Sequence, residues 1–77
     1  MSRQYPFALP LAVPAWVVSQ APSFLQQKGV WDELPVRLRN VIVEASNAGQ
    51  GLEITESELN TISDSAWVDV GPILAQV

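Results

Sequence analysis

The chain has 77 residues, which allows one domain with one hydrophobic core, because halves of this chain would bury too little apolar surface. It contains no Cys and no His, which excludes disulfides, a thiolate nucleophile and a zinc site of the common type. The net charge is -4 and the four basic residues are spread out, so direct binding of nucleic acid is not expected.

The first predicted segment is an extended apolar arm over residues 1–14. From Tyr5 to Pro14 the prolines recur at every fourth position, and each disfavours a helix for itself and for the residue before it. Two arrangements are open: side chains such as Phe7 and Leu11 lie across the helices of the same subunit, or they dock on another molecule. The prolines also argue against a cleaved leader or a membrane span, and we expect a cytoplasmic protein.

Two short helices are predicted after the arm. The first covers residues 15–19, and Pro22 is suited to the first position of the second, which covers residues 23–28. Gly29 is suited to the position just past the end of that helix. Trp16 lies within an apolar run, so we predict that it packs in the core.

The clearest predicted helix begins near residues 32–35 and ends at Gly49, which favours the left-handed backbone of a helix end. At 100 degrees per residue its apolar stripe consists of Leu34, Leu38, Val41, Ile42 and Ala45. Val36 and Val43 fall nearly opposite this stripe, so the helix has apolar side chains on both faces. They are either buried against the arm or the C-terminal segment, or they form a contact ridge.

The last third of the chain contains a capping box. A connection over residues 50–54 leads to Thr55 and Glu58, whose spacing predicts a helix start with Thr55 as N-cap. Apolar residues then recur at spacings of three and four, but polar residues predict a bend or break near residues 63–65. The Gly-Pro pair at residues 71–72 is predicted to end the helix.

Together these elements predict an all-α fold: a small bundle of three to five short helices, residues 15–77, preceded by the arm. Tryptophan is a frequent anchor of protein interfaces, and a chain this small can hide only some of its three tryptophans. We predict that Trp67 packs in the core. Trp31 stands at the corner before the main helix, where it either staples the helix start or is partly open.

Catalysis is not expected, because the chain offers only carboxylates, hydroxyls, one Tyr and one Lys for proton transfer. The acidic pairs Asp32 with Glu33 and Glu56 with Glu58 stand at helix starts, where acids are common for capping. No stretch resembles a calcium loop or a phosphate-binding glycine loop. We therefore predict no catalytic residue, no metal site and no cofactor.

The composition favours a protein that binds other proteins, since 48% of the residues are apolar in a chain with much surface for its volume. The leading hypothesis is a small non-catalytic interaction protein, an inhibitor or adaptor that covers a surface of a larger protein. Such short chains are common among phage and mobile-element accessory proteins, which is an argument from frequency. The alternative is a structural subunit of a virion or other homo-oligomeric assembly, and a homodimer is compatible with both. The predicted partner-binding residues are Trp31, Val36, Val43, Phe7 and Leu11.

Overall fold

The computed structural model describes residues 3–76 and is mostly helical, as the sequence predicts. Residues 1–2 of the predicted arm and residue 77 of the predicted helical domain lie outside the described residues. A small two-stranded sheet, absent from the predicted all-α fold, accompanies the helices. The elements in chain order are β1 (Leu11–Val13), α1 (Ala15–Gln27), a 3-10 turn (Trp31–Glu33), α2 (Val36–Ala48), β2 (Leu52–Ile54), α3 (Glu56–Leu59) and α4 (Asp64–Leu74).

Helix α1 is one continuous helix, so the prediction of two short helices is wrong. Pro22 lies inside it and has no N–H to donate to the carbonyl of Val18. The helix continues because its inner side is apolar on both sides of the proline: Val17, Val18, Ala21 and Leu25 are all buried. Burial of these side chains offsets the missing hydrogen bond. Gly29 adopts a φ of 74° just beyond the helix, as predicted.

Helix α2 begins directly after Pro35 and ends at Gly49, whose φ is 67°. The predicted apolar stripe is confirmed, since Leu38 and Ile42 are buried on it. The preceding 3-10 turn brings Leu34 into the same core at 2% exposure. Arg39 donates from Nε to the Leu34 carbonyl at 3.1 Å, which fixes the entry of the chain into α2.

The sheet joins the first segment of the chain to the connection before α3. Strands β1 and β2 are antiparallel, and Leu11 is opposite Ile54. The alternation of β1 places Leu11 and Val13 in the core and Ala12 in solvent. Gly51 permits the close approach, because a Cβ there would lie 2.8 Å from the Val13 carbonyl oxygen. Residues 11–13, predicted as part of an arm, therefore pair with β2, and Leu11 and Val13 are buried within their own subunit.

The predicted break in the last third of the chain is confirmed: α3 ends at Leu59 and α4 begins at Asp64. The capping box is also confirmed, with the Thr55 side chain accepting from the Glu58 amide at 3.3 Å. Ser63 caps α4 by accepting from the Ala66 amide. The prediction that the Gly-Pro pair ends the helix is wrong, because α4 continues through Pro72 to bury Leu74.

The core lies beneath α1, which packs against both α2 and α4. Its centre consists of fully buried aliphatic side chains from the helices and from the loop between α3 and α4, including Leu25, Ile42, Leu59, Ile62 and Val70. Helix α1 lies between α2 and α4 and above the core, and its outer side is exposed to solvent. No helix within residues 3–76 is long and apolar enough to span a lipid bilayer.

Candidate protein-binding surface

The outer side of α1 carries two large aromatic side chains in solvent. Trp16 is 59% exposed and Phe24 is 44% exposed. Gln20 lies midway between them, so the three residues follow the i, i+4, i+8 spacing of one helix face. The prediction that Trp16 packs in the core is therefore wrong, because the core-facing positions of α1 are occupied by other residues.

A groove runs between this line of residues and α4. Its volume is about 210 Å³ and it is lined by Trp16, Val17, Gln20, Phe24, Pro72, Ile73 and Gln76. Pro72 has no amide hydrogen, so it leaves no donor unpaired at the groove wall. One turn earlier on α4, Val68 is 71% exposed and extends the apolar character of that helix.

A second groove runs along the other side of α1, against α2. Its volume is about 350 Å³ and it is lined by Ser19, Pro22, Ser23, Gln26, Val43, Ser46 and Asn47. Val43 is its large apolar side chain and is 38% exposed. Helix α1 is thus a ridge between two grooves. We define the α1 face as Trp16, Gln20, Phe24, Val43, Pro72 and Ile73.

The α1 face is uncharged in an acidic chain. None of the described residues that line the two grooves is Asp, Glu, Lys or Arg. The sequence contains no charged residue between Arg3 and Lys28, whereas the eight acids all follow Lys28. A protein that docks on this face does not have to desolvate a charge of the groove walls.

The residues predicted to bind a partner do not form one surface. Val43 lies on the α1 face. Val36 is 61% exposed at the first position of α2, but it lines neither groove beside α1. Trp31 is half-buried against the core and borders a depression with Gly29 and Asp32.

The two predicted residues of the first segment are held by their own subunit. Leu11 is 6% exposed and belongs to the core, so it does not lie on the α1 face. Phe7 is half-buried in an aromatic cluster with Tyr5 and Trp67. Tyr5 meets Trp67 edge to face, with ring centroids 5.4 Å apart.

Arg3 completes this cluster and ties it to the junction of α3 and α4. Its guanidinium lies 5.0 Å from the centroid of the Trp67 ring. It donates to the carbonyl of Leu59 at 3.0 Å, to that of Ile62 at 2.6 Å, and to Asp64 Oδ1 at 2.8 Å. We call Arg3, Tyr5, Phe7 and Trp67 the Trp67 cluster.

The charge of Arg3 is maintained in this position. Desolvation by itself would lower the pKa of the guanidinium, but hydrogen bonds with Asp64 and Tyr5 raise that pKa above its ordinary value. Arg3 is therefore a permanent donor to the Ile62 carbonyl and a second donor to the Leu59 carbonyl, which also accepts from the Ile62 amide at 3.1 Å. Its role in the described structure is to hold the first segment in place.

Within residues 3–76, no group of three or more acidic side chains is arranged so that it could hold a metal ion. A comparison of the chain with protein families, curated proteins and solved structures found no match.

Sequence reasoning missed most of the α1 face, although two signals of it are present. The first is the absence of charge between Arg3 and Lys28. The second is the spacing of Trp16 and Phe24, which share a helix side only if the helix continues through Pro22. The prediction of two short helices puts Trp16 and Phe24 on separate helices, so their position on one helix face cannot be recognised.

Proposed function

We propose that this protein is a small non-catalytic interaction protein, an inhibitor or adaptor that covers part of a larger protein with its α1 face. The observation that carries the proposal is Trp16, 59% exposed beside an uncharged groove. Tryptophan is the side chain most enriched among residues that dominate binding energy, and it loses little rotamer freedom when it is bound.

The shape of the face supports a protein partner. A ridge flanked by two grooves can receive side chains from another surface on both sides. Burial of exposed apolar area contributes about 25 cal/mol per Å², and the uncharged walls let that gain exceed the cost of desolvation. Scattered exposed apolar residues are normal on monomers, whereas a contiguous patch marks an interaction site.

The internal contacts of the basic side chains support a protein partner rather than nucleic acid. Arg3 donates to four acceptors of its own chain, and Arg39 donates to the Leu34 carbonyl and lies 3.7 Å from Asp32. Two of the four bases in the chain are thus already used internally. A phosphate backbone requires clustered free bases, so we propose that nucleic acid is not bound directly.

The structural-subunit hypothesis depended on an arm that reaches a neighbouring copy. Leu11 and Val13 are buried in the core of their own subunit and pair with β2. This arrangement favours the binding protein over a subunit that exchanges its arm. A cytoplasmic location and a phage or mobile-element origin remain part of the proposal, on the arguments from sequence alone.

The test is photo-crosslinking at position 16 in extract of the native host. A photoreactive phenylalanine analogue replaces Trp16, and a matched variant carries it at Val36, which is equally exposed but outside the grooves. We expect an adduct heavier than two copies of the chain from position 16 and not from position 36. Equal adducts from both positions, or none from position 16, would contradict the proposal.

A further inference from the structure

We infer that the junction of α3 and α4 carries a second binding site, which accepts a peptide segment with an arginine followed by aromatic residues two and four positions later. Residues 3–10, which we call the strap, occupy this site within the same chain. A partner protein that presents the same pattern displaces the strap. The site is separate from the α1 face, so this inference goes beyond the proposed function.

The strap shows which chemistry the site accepts. Residues 3–10 form neither helix nor strand. Arg3, Tyr5 and Phe7 are half-buried, whereas the residues between them are exposed. Three alternate side chains therefore contact the site, and the positions between them are free to vary. The pattern that the site recognises is Arg-x-Tyr-x-Phe.

The arginine position has a set of acceptors that match a guanidinium. Arg3 donates to the carbonyls of Leu59 and Ile62 and to Asp64 Oδ1, and its guanidinium lies 5.0 Å from the centroid of the Trp67 ring. A planar guanidinium can donate in several directions at once and stack on an aromatic ring, whereas an ammonium cannot. The site therefore selects arginine over lysine.

The two aromatic positions are matched by one ring and one amide. Tyr5 donates from its hydroxyl to Asn60 Oδ1 at 2.7 Å, and its ring meets Trp67 edge to face. The Phe7 ring centroid lies 6.4 Å from that of Trp67. We define the Trp67 site as Asn60, Asp64, Trp67 and the carbonyls of Leu59 and Ile62.

The Trp67 site is held in place by parts of the chain other than the strap. The side chains of Leu59 and Ile62 are fully buried in the core, which fixes the carbonyls of these residues. Ser63 caps α4, and its carbonyl accepts from the Trp67 amide at 2.9 Å. The site thus keeps its shape when the strap leaves, and a preformed site loses little entropy when a segment binds.

The strap is attached to the site through side chains. Outside the helices and strands of residues 3–76, none of the backbone–backbone hydrogen bonds involves residues 3–10. Regular pairing begins only at Leu11, in β1. A segment with few backbone hydrogen bonds opens locally at a lower free energy than the core. The strap can therefore leave the Trp67 site while β1, β2 and the helices stay folded.

The strap acts as a competitor that is tethered to its own site. A short flexible tether gives an effective concentration in the millimolar range, so a strap that is closed about ten times more often than open implies a dissociation constant of about 0.1 mM for the free peptide. The closed strap weakens the apparent binding of a partner segment by the same factor of about ten.

The experiment is a fluorescence anisotropy titration of a labelled, acetylated peptide of residues 3–10 with the full-length Arg3→Glu chain. The substitution replaces the donors of the strap with a carboxylate beside Asp64, so the site is vacated. We expect a dissociation constant of about 0.1 mM or below for this variant, and about 10-fold weaker binding by the wild-type chain. A peptide that carries Arg3→Glu is the matched control and should bind at least about 10-fold more weakly.

Further substitutions in the Arg3→Glu chain locate the peptide. Asn60→Ala removes the acceptor of the tyrosine hydroxyl and should weaken binding by about 3-fold or more. Trp16→Glu, on the α1 face, should leave the affinity unchanged. Circular dichroism checks that each variant is folded. Should Arg3→Glu not fold, Phe7→Ala weakens the strap while keeping Arg3, and it should likewise bind the peptide more tightly than the wild type does.

Three results would overturn the inference: no binding of the peptide to a folded Arg3→Glu chain at concentrations up to about 1 mM, equal binding of the two peptides, and loss of binding in the variant with Trp16→Glu. The last result would place the peptide on the α1 face. None of them changes the adducts expected from position 16, so failure of this inference is distinguishable from failure of the proposed function.

Discussion

Trp16 and Trp67 are the same residue type in two contrasting regions of the molecule. Trp67 is half-buried beneath Arg3, Tyr5 and Phe7, which the first segment of the chain brings onto α4. Trp16 is 59% exposed on α1, and no segment within residues 3–76 covers it. The solvent exposure of each tryptophan thus depends on whether another segment of the chain packs over it.

This contrast distinguishes apolar residues that stabilise the fold from apolar residues that are available to bind a partner. The first segment is fixed by strand pairing and by Arg3, so its aromatic residues stabilise the fold. The two grooves of the α1 face are lined by apolar residues, prolines and neutral polar residues. We therefore expect substitutions in the Trp67 cluster to change stability and substitutions on the α1 face to change association.

The largest effect is expected for Trp67→Ala. Removal of the ring deletes its contacts with two aromatic residues and with Arg3, and we expect a loss of about 2–4 kcal/mol in the free energy of unfolding. Urea unfolding at a concentration where the chain is monomeric measures it. Val68→Ala, at the next position on α4 and 71% exposed, is the control and should be nearly neutral. Equal losses in both variants would contradict the distinction.

Arg3→Ala should have the next largest effect. It removes the side-chain donor to the Ile62 carbonyl and one of two donors to the Leu59 carbonyl, and we expect a loss of about 1–2 kcal/mol in the same unfolding measurement. Arg3→Lys keeps the charge but lacks the planar fork, so its loss should be intermediate. Asp64→Asn should cost about 0.5 kcal/mol or less, because an exposed ion pair contributes little. A larger loss in Asp64→Asn than in Arg3→Ala would show that the ion pair, and not the carbonyl contacts, anchors the segment.

Gly71→Ala tests how firmly the Trp67 ring is held. A Cβ at this position would lie 3.1 Å from Trp67 Cε2, so the ring must move by a few tenths of an ångström. Alanine in a helix is favoured by about 1 kcal/mol over glycine, and we expect crowding to cancel this gain, giving a net change below about 1 kcal/mol. In the Arg3→Ala background the ring is freer, and Gly71→Ala should stabilise. A stabilisation of equal size in both backgrounds would show that Arg3 does not restrain the ring.

The parts of the fold that could be predicted are those set by local chemistry. The capping box at Thr55, the left-handed glycines at positions 29 and 49 and the apolar stripe of α2 all depend on residues close in sequence. Each of these features is present in the structure. The break before α4 was predictable for the same reason, since Ser63 acts as its cap.

The parts that sequence reasoning missed depend on distant contacts. Helices α1 and α4 continue through Pro22 and Pro72 because the residues beyond each proline are buried by other elements. The strand Leu11–Val13 forms because Leu52–Ile54 returns beside it from far along the chain. The α1 face was hard to predict for the same reason, because Trp16 is exposed only where other residues of α1 fill the core.

The measurement that tests the central claim most directly is the free energy of unfolding of Trp16→Ala, determined in urea at a concentration where the chain is monomeric. The account predicts a value within about 1 kcal/mol of the wild type, because an exposed ring leaves no cavity when it is removed. A loss as large as that of Trp67→Ala would place Trp16 in the core. That result would remove the anchor of the α1 face and contradict the proposed function.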